Sequence, residues 1–435
     1  MKSKSSPPPF LHLLLLISAV LRHSAAATSA YPKEALPTKF GYLKVNPTTG
    51  SAIFYTYYES QAPHNTETPI LIWLQGGPGC SSMLANFFEL GPYLITQDLS
   101  LKPNPYSFKP NPYSWNKNFG LLFLDNPIGT GFSIAASPEE IPRNQKDVAK
   151  HLLTAISKFT ALDKSFKTRP IYLTGESYAG KYLPALGYYI MQKNAGKFFN
   201  LAGIAIGNGL TDPETQVSTH ASNSYNLGLI NQKQMTLLEK LQSEVVGFIR
   251  SGEWNESGNA RTKVLDSLTN MTGLATLYDF RRLSRYPNGV VAKFLNNDEV
   301  KRLLGVKESL TFELCSPVVG DALHDDVMKS VRYMVEFLVR KGVKLLLYQG
   351  QCDLRDGVFS TLSWVEKMKW DGIGEFLKAE RSVWRVDENL AGYVQKYKSF
   401  SHAVVLNAGH LVPTDQPLNS LVLMQDWVLE RGLFG

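Results

Sequence analysis

Short apolar runs recur along the chain, each closed by glycine, proline or polar residues. Residues 69–74, 121–124, 171–174, 201–206, 344–348 and 403–406 are continuous runs, not alternating ones, which is the pattern of strands covered on both faces. Residues 53–58 read as an earlier strand. Between the second and third runs, Val148, Leu152, Ile156 and Phe159 fall on one face of a helix. Strand, helix, strand in this rhythm predicts an α/β fold with a mostly parallel sheet and helices on its faces. From residue 212 to residue 317 the rhythm stops and the sequence becomes helical and polar, with helices expected over 233–250 and 298–304. This stretch is expected to be a mainly helical cap domain, residues 212–317, inserted into a core made of residues 28–211 and 318–435. Within it, the polar tract 251–259 is expected to be a flexible surface loop. The near-repeat of Asn104-Pro105-Tyr106-Ser107 in Asn111-Pro112-Tyr113-Ser114 is too short for a structural unit and reads as an echoed turn.

Several of these runs end in residues able to do hydrolytic chemistry. The run 171–174 meets Gly175-Glu176-Ser177-Tyr178-Ala179-Gly180, which has the form of a nucleophile elbow. Small flanking residues let strand and helix approach, and Ser177 stands exposed at the turn. The usual Gly-x-Ser-x-Gly pattern has Ala179 in its last position here, with Gly180 following. A serine that merely caps the following helix is the plainer alternative. The run 344–348 leads to Asp353, with Asp356 as a rival, and 403–406 leads to His410, with His402 as a rival. The order Ser, Asp, His is that of the α/β-hydrolases. The run 69–74 feeds Gln75-Gly76-Gly77-Pro78-Gly79, a tight glycine-rich loop. In an α/β-hydrolase such a loop supplies the second oxyanion donor.

A chain of 435 residues that is 44% hydrophobic and 19% charged suffices for one large core, or a core plus an insertion. Residues 1–27 combine a basic start, an apolar run over 10–21 and the small residues Ser24, Ala25, Ala26 and Ala27, the composition of a secretory signal peptide. Its apolar run is too short to span a bilayer, and no later stretch is long and apolar enough to do so. Removing Lys2, Lys4 and Arg22 with that leader lowers the formal charge from +7 to +4. So mild a charge, with no basic run interleaved with aromatics, argues against nucleic acid as a partner. Three cysteines, Cys80, Cys315 and Cys352, allow one bridge and one free thiol, and exclude a disulfide scaffold. Asn255-Glu256-Ser257 and Asn270-Met271-Thr272 are glycosylation sequons. With no metal-ligand motif, phosphate loop or dinucleotide fingerprint in the sequence, no metal or organic cofactor is expected.

Five motifs then point in one direction. Trp73-Leu74-Gln75-Gly76-Gly77-Pro78-Gly79-Cys80-Ser81-Ser82, Phe88-Glu89-Leu90-Gly91-Pro92, Asp125-Asn126-Pro127-Ile128-Gly129-Thr130-Gly131-Phe132-Ser133, the Ser177 elbow and Gly409-His410-Leu411-Val412-Pro413 together resemble the serine carboxypeptidases, the plant serine-carboxypeptidase-like branch above all. The resemblance covers essentially the whole chain after the leader. It implies Ser177 as nucleophile, His410 as general base and then acid, and Asp353 as the residue that holds the imidazole. It places the oxyanion donors at the backbone N–H groups of Gly77 and Tyr178. It assigns recognition of a substrate's C-terminal carboxylate to Gln75, Gly76, Glu89 and Glu176, with Gln75 standing where the family usually has Asn. It pairs Cys80 with Cys315, leaving Cys352 free, and makes the cap a lid over the active site. The expected activity is removal of C-terminal residues from peptides or proteins by a secreted or vacuolar enzyme. Acidic conditions should favour it, because Glu89 and Glu176 cannot both ionise beside a substrate carboxylate. Two other functions fit the family or the fold. One is an acyltransferase working on glucose esters, many of which resemble Gly-Asp-Ser-Tyr at the elbow, so that Glu176 favours the peptidase. The other is a secreted binding protein with an idle triad, against which all three filled positions argue.

Overall fold

A computed structural model describes residues 31–97, 105–193 and 199–435. The leader, residues 1–27, lies outside the described residues. The strands are β1 (Lys39–Lys44), β2 (Ala52–Tyr58), β3 (Ile70–Leu74), β4 (Tyr93–Gln97), β5 (Tyr106–Pro110), β6 (Gly120–Leu124), β7 (Pro170–Glu176), β8 (Asn200–Gly207), β9 (Lys344–Gly350), β10 (Ser382–Val386), β11 (Asn389–Tyr397) and β12 (Phe400–Val405). Ten of them form one sheet in the order β1-β2-β6-β3-β7-β8-β9-β12-β11-β10, while β4 and β5 pair separately. The six central strands, β6 to β12 in that order, run parallel. The two strands at each edge are antiparallel to their neighbours.

Burial explains why the central strands read as unbroken apolar runs. Every residue of β3 and of β6 is buried. Leu71 and Trp73 point into the core on one face, and Ile70, Ile72 and Leu74 into the core on the other, as the two-residue period of a strand requires. Helix Gln145–Thr160 lays Val148, Leu152, Ile156 and Phe159 against the second face. Its start is fixed by the Asn144 side chain, which accepts a hydrogen bond from the Asp147 N–H. Helix Pro417–Leu429 covers the first face with Trp427 and Met424.

Between β8 and β9 the described chain contains helices and no strand. Helices Gln232–Ser251 and Trp254–Thr272 pack around a small core of their own that includes Leu238, Val245, Val264 and Leu268. Helices Gly289–Leu295 and Asp298–Leu303 belong elsewhere. Phe294 lies within ring contact of Tyr31, Phe87 and Phe108, and the apolar residues of both helices join a core of the main sheet.

The tract 251–259 is not the loop expected from its composition. The chain breaks only at left-handed Gly252, φ 77°, and Glu253, and is helical again from Trp254. Two of its small residues serve close packing: Ser257 is buried and donates to the Trp254 carbonyl at 2.8 Å, and Gly258 is buried beside it. A Cβ on Gly258 would fall 2.7 Å from the His324 ring. The two Asn-Pro-Tyr-Ser segments also differ. Asn111 to Ser114 is a turn in which Asn111 Oδ1 accepts from the Tyr113 N–H, whereas Tyr106 and Ser107 open β5.

Cys80, directly after the glycine-rich loop, is disulfide-bonded to Cys315 across 235 residues, and Cys352 is a buried free thiol. Backbone bonds from Ser81 to the Leu314 carbonyl and from Ser316 to the Gly79 carbonyl, both 2.8 Å, dock the same two segments. A closed loop of this length restricts the unfolded chain strongly, so Cys80→Ala/Cys315→Ala should lose on the order of 4 kcal/mol. Calorimetry reads this as a lower thermal midpoint, and an unchanged midpoint would show that the bridge does not stabilise the fold.

Candidate active site

β7 is buried from Ile171 to Glu176, and the chain turns at Ser177 with φ 61° before helix Ala179–Gln192 begins. That left-handed conformation is costly for a residue with a Cβ. It is held by hydrogen bonds from Ser177 N to the Gly207 carbonyl at 3.0 Å, and from Gly180 N and Leu210 N to the Ser177 carbonyl at 2.9 and 3.0 Å. The elbow is also packed too tightly for larger neighbours. A Cβ on Gly76 would sit 2.5 Å from the Tyr178 nitrogen, and one on Gly180 would sit 2.8 Å from the Gly209 Cα. Ser177 is left part-exposed in a cavity of about 170 Å³, together with Gly77, Pro78 and Tyr178. Among the described residues no backbone carbonyl accepts from the N–H of Gly77 or of Tyr178.

Asp353 and His410 come from the loops after β9 and β12. His410 Nδ1 and Asp353 Oδ2 are 2.7 Å apart. Asp353 also accepts from Asn208 Nδ2 at 2.7 Å, from the Arg355 N–H at 2.7 Å and from the Asp356 N–H at 3.3 Å. His410 Nε2 is buried without a protein partner among the described residues. The two rivals are engaged elsewhere. His402 Nε2 bonds Gln349 Oε1 at 2.7 Å, and burial pulls its pKa down to about 3. Asp356 accepts from Gln216 Nε2 at 3.3 Å and faces Arg261.

One participant carries no motif in the sequence. The Tyr278 ring lies flat on His410, with centroids 4.3 Å apart and planes 7° from parallel. The Tyr278 carbonyl accepts from the His410 N–H at 2.7 Å. Leu354 N bonds the Leu277 carbonyl and Phe280 N bonds the Cys352 carbonyl, so residues 277–280 thread between the Asp353 and His410 loops. An aromatic residue in a polar stretch gives no hint of this from sequence.

Gln75, Glu89 and Glu176 meet beside the elbow. Trp73 Nε1 donates to Gln75 Oε1 at 2.8 Å, which turns the amide so that Gln75 Nε2 donates to Glu176 Oε1 at 2.7 Å. Glu89 and Glu176 are 2% and 1% exposed. Gln75 and Glu176 lie close enough to influence the Glu89 proton, yet neither Glu89 oxygen meets them in hydrogen-bond geometry. Burial, then the nearby charge of Asp415, pushes the Glu89 pKa up to about 8. Burial and then Glu89 hold Glu176 well above the usual carboxylate range. Two carboxyl groups so placed keep at least one proton between them near neutral pH.

Asn255 and Asn270 are exposed near opposite ends of helix Trp254–Thr272. Among the described residues, no group of three or more His, Cys, Asp or Glu is placed to hold a metal ion. No helix there is long and apolar enough to cross a membrane.

The sequence pattern of the serine carboxypeptidase family matches residues 31–430. Serine carboxypeptidase-like 50 of Arabidopsis thaliana is 52% identical over 409 residues, spanning 93% of this chain and 90% of its own. The venom serine carboxypeptidase of Apis mellifera is 33% identical over 412 residues, spanning 92% and 86%. Among solved structures, a prohormone-processing carboxypeptidase from Saccharomyces cerevisiae superposes with a TM-score of 0.80 at 25% identity, over 92% of this chain and 95% of that one. The twelve-strand architecture and these matches agree: the chain belongs to the serine carboxypeptidases, hydrolases of the α/β-hydrolase fold.

Proposed function

We propose that the chain removes C-terminal residues from peptides through an acyl-enzyme on Ser177. The observation that carries this is the buried carboxyl pair beside the elbow. In its protonated form, Glu89 or Glu176 donates a hydrogen bond to the free carboxylate that distinguishes a peptide end from an internal bond. Gln75, bonded to Glu176, orients the pair, and Gly76 allows the loop to lie against Tyr178.

The chemistry follows from the other atoms. His410 Nε2 takes the Ser177 Oγ proton as Oγ attacks the scissile carbonyl carbon, while Asp353 holds Nδ1 and stabilises the imidazolium. The N–H groups of Gly77 and Tyr178 receive the oxyanion, each worth roughly a hundredfold or more in rate. His410 then protonates the departing amine, and water repeats the sequence to free the acyl group. Within residues 212–317, the part with its own helical core acts as the cap, since Arg261, Thr262 and Tyr278 line the cavities around the site, whereas helices Gly289–Leu295 and Asp298–Leu303 pack with the main sheet. The leader, the disulfide and the exposed sequons at Asn255 and Asn270 support passage through the secretory pathway to a vacuole or the outside.

A fluorophosphonate should label the parent protein, and Ser177→Ala should abolish the label. Asp353→Asn should lower kcat on the order of ten-thousandfold with little change in KM. A parent that takes no label would instead be a binding protein with an idle triad.

The pH dependence has a definite sign. Both glutamate pKa values are raised, so the pair is protonated under acid conditions and loses its donor as pH climbs through about 8 for Glu89. The kcat/KM for free-acid peptides should therefore fall with rising pH, mainly through KM, while C-terminal amides and esters should be less affected. Glu176→Gln removes one negative charge and should extend free-acid cleavage to higher pH. Identical pH profiles for the parent and Glu176→Gln on both substrate types would remove the pair from carboxylate recognition. Acyl transfer from a glucose ester, with no peptide cleaved, would favour the acyltransferase.

A further inference from the structure

Two cavities meet at helix Trp254–Thr272. The smaller holds Ser177, and a larger one of about 440 Å³ lies beyond it between Tyr278 and Tyr286. Arg261 and Arg355 line both. Gln75, Glu89 and Glu176 line neither. If those three take the C-terminal carboxylate, the leaving residue is accounted for, and these cavities are left for the acyl half of the substrate.

The walls carry two guanidinium groups without hydrogen-bonded acceptors. Arg261 reaches in from the helix with its side chain 10% exposed, 3.8 Å from Asp356. Arg355 Nε lies 4.0 Å from the same carboxylate. Two guanidinium groups thus share one carboxylate at distances too long for hydrogen bonds, and Asp356 already accepts from Gln216. The neighbouring Asp353, whose charge also acts on Arg355, takes its hydrogen bonds from His410, Asn208 and two backbone N–H groups. Among the described residues neither guanidinium makes a hydrogen bond to a protein acceptor, although each has five N–H donors. The same molecule shows how a structural arginine is held. Arg169 grips Glu59 with two bonds of 2.9 Å and bonds the Thr68 carbonyl as well. The outer cavity is also lined by Arg285 and Asp266. Burial and the charge of Arg355 lower the Arg261 pKa to about 10, so it remains a cation at any pH where the enzyme works. The Arg355 guanidinium lies 5.3 Å from the Tyr278 ring centroid, which limits its swing.

We propose that Arg261 and Arg355 bind an acidic side chain on the residue whose carbonyl Ser177 attacks, so that the enzyme prefers peptides with Asp or Glu immediately before the C-terminal residue. This rests on Ser177 being the nucleophile of a peptidase. A carboxylate offers the paired forks the acceptors they lack, whereas a lysine side chain placed there would add a third cation.

The test uses N-blocked dipeptides with Glu, Gln, Ala or Lys before a common C-terminal Phe, at a pH above glutamate's ordinary value of about 4.3. Active sites are counted by fluorophosphonate titration, so that partial misfolding of a variant does not enter the rate. Glu and Gln match in shape, and kcat/KM should favour Glu by about tenfold or more, with Lys poorest. Arg261→Gln and Arg355→Gln should each bring the Glu:Gln ratio towards one. Should Arg261→Gln fail to fold, because it leaves Asp356 less well compensated, Arg355→Gln decides alone. A parent ratio near one, or a ratio unchanged in the folded variants, overturns the assignment while leaving peptidase activity intact. Failure to cleave any dipeptide overturns the peptidase and this specificity together, and labelling of Ser177 then shows whether the nucleophile survives.

Discussion

A positive φ at Ser177 is the constraint around which the site is built. A residue with a Cβ held there costs about 1–3 kcal/mol, and the surroundings over-determine it through the hydrogen bonds with Gly207, Gly180 and Leu210. The same bend brings the Gly76 loop against Tyr178 and the following helix against Gly209, which leaves no room for side chains at either contact. β7 therefore has to end where it does, in the middle of a parallel sheet, with β3 on one side and β8 on the other. The loops after those neighbours supply Gly77 and Asn208, so the strain at one residue sets the positions of several functional groups at once.

Carboxyl groups of the same site live in contrasting surroundings. Asp353 receives four hydrogen bonds. Glu89 and Glu176 are sealed from water with a single good donor, Gln75, between them. A buried carboxyl group that lacks donors and faces another acid favours its neutral form. One chain thus holds an acceptor for an imidazole N–H and, a strand away, carboxyl groups that can themselves donate.

The central strands, and the strand ends that carry Ser177, Asp353 and His410, were legible because each rule involved is local. A strand buried on both faces shows as an apolar run, and the candidate residues Ser177, Asp353 and His410 each follow the end of such a run. The Cys80–Cys315 bridge was reached through the family resemblance, since spacing alone left the pairing open. What could not be read depended on distant contacts. Tyr278 matters because its segment threads between two loops more than seventy residues further along the chain. Nothing in the sequence marks Arg261, and only folding sets it beside Arg355 and Asp356. The tract 251–259 failed for the opposite reason: its small residues suggested flexibility, whereas Gly258 is small because His324 is pressed against it.

Helix Trp254–Thr272 has a division of labour along its length. Val264, Leu265 and Leu268 belong to the small core of the helical stretch, while Arg261 and Thr262 reach the cavities. None of the three triad residues lies on it, and it is separated from the ten-stranded sheet by its own apolar packing. Duplicated genes could therefore diverge at exposed position 262, and at 261 together with Asp356, reshaping what the cavities admit while the loops that carry Ser177, Asp353 and His410 stay as they are. The cavity-facing edge of this one helix, rather than the strand ends, is in that sense where the architecture tolerates change.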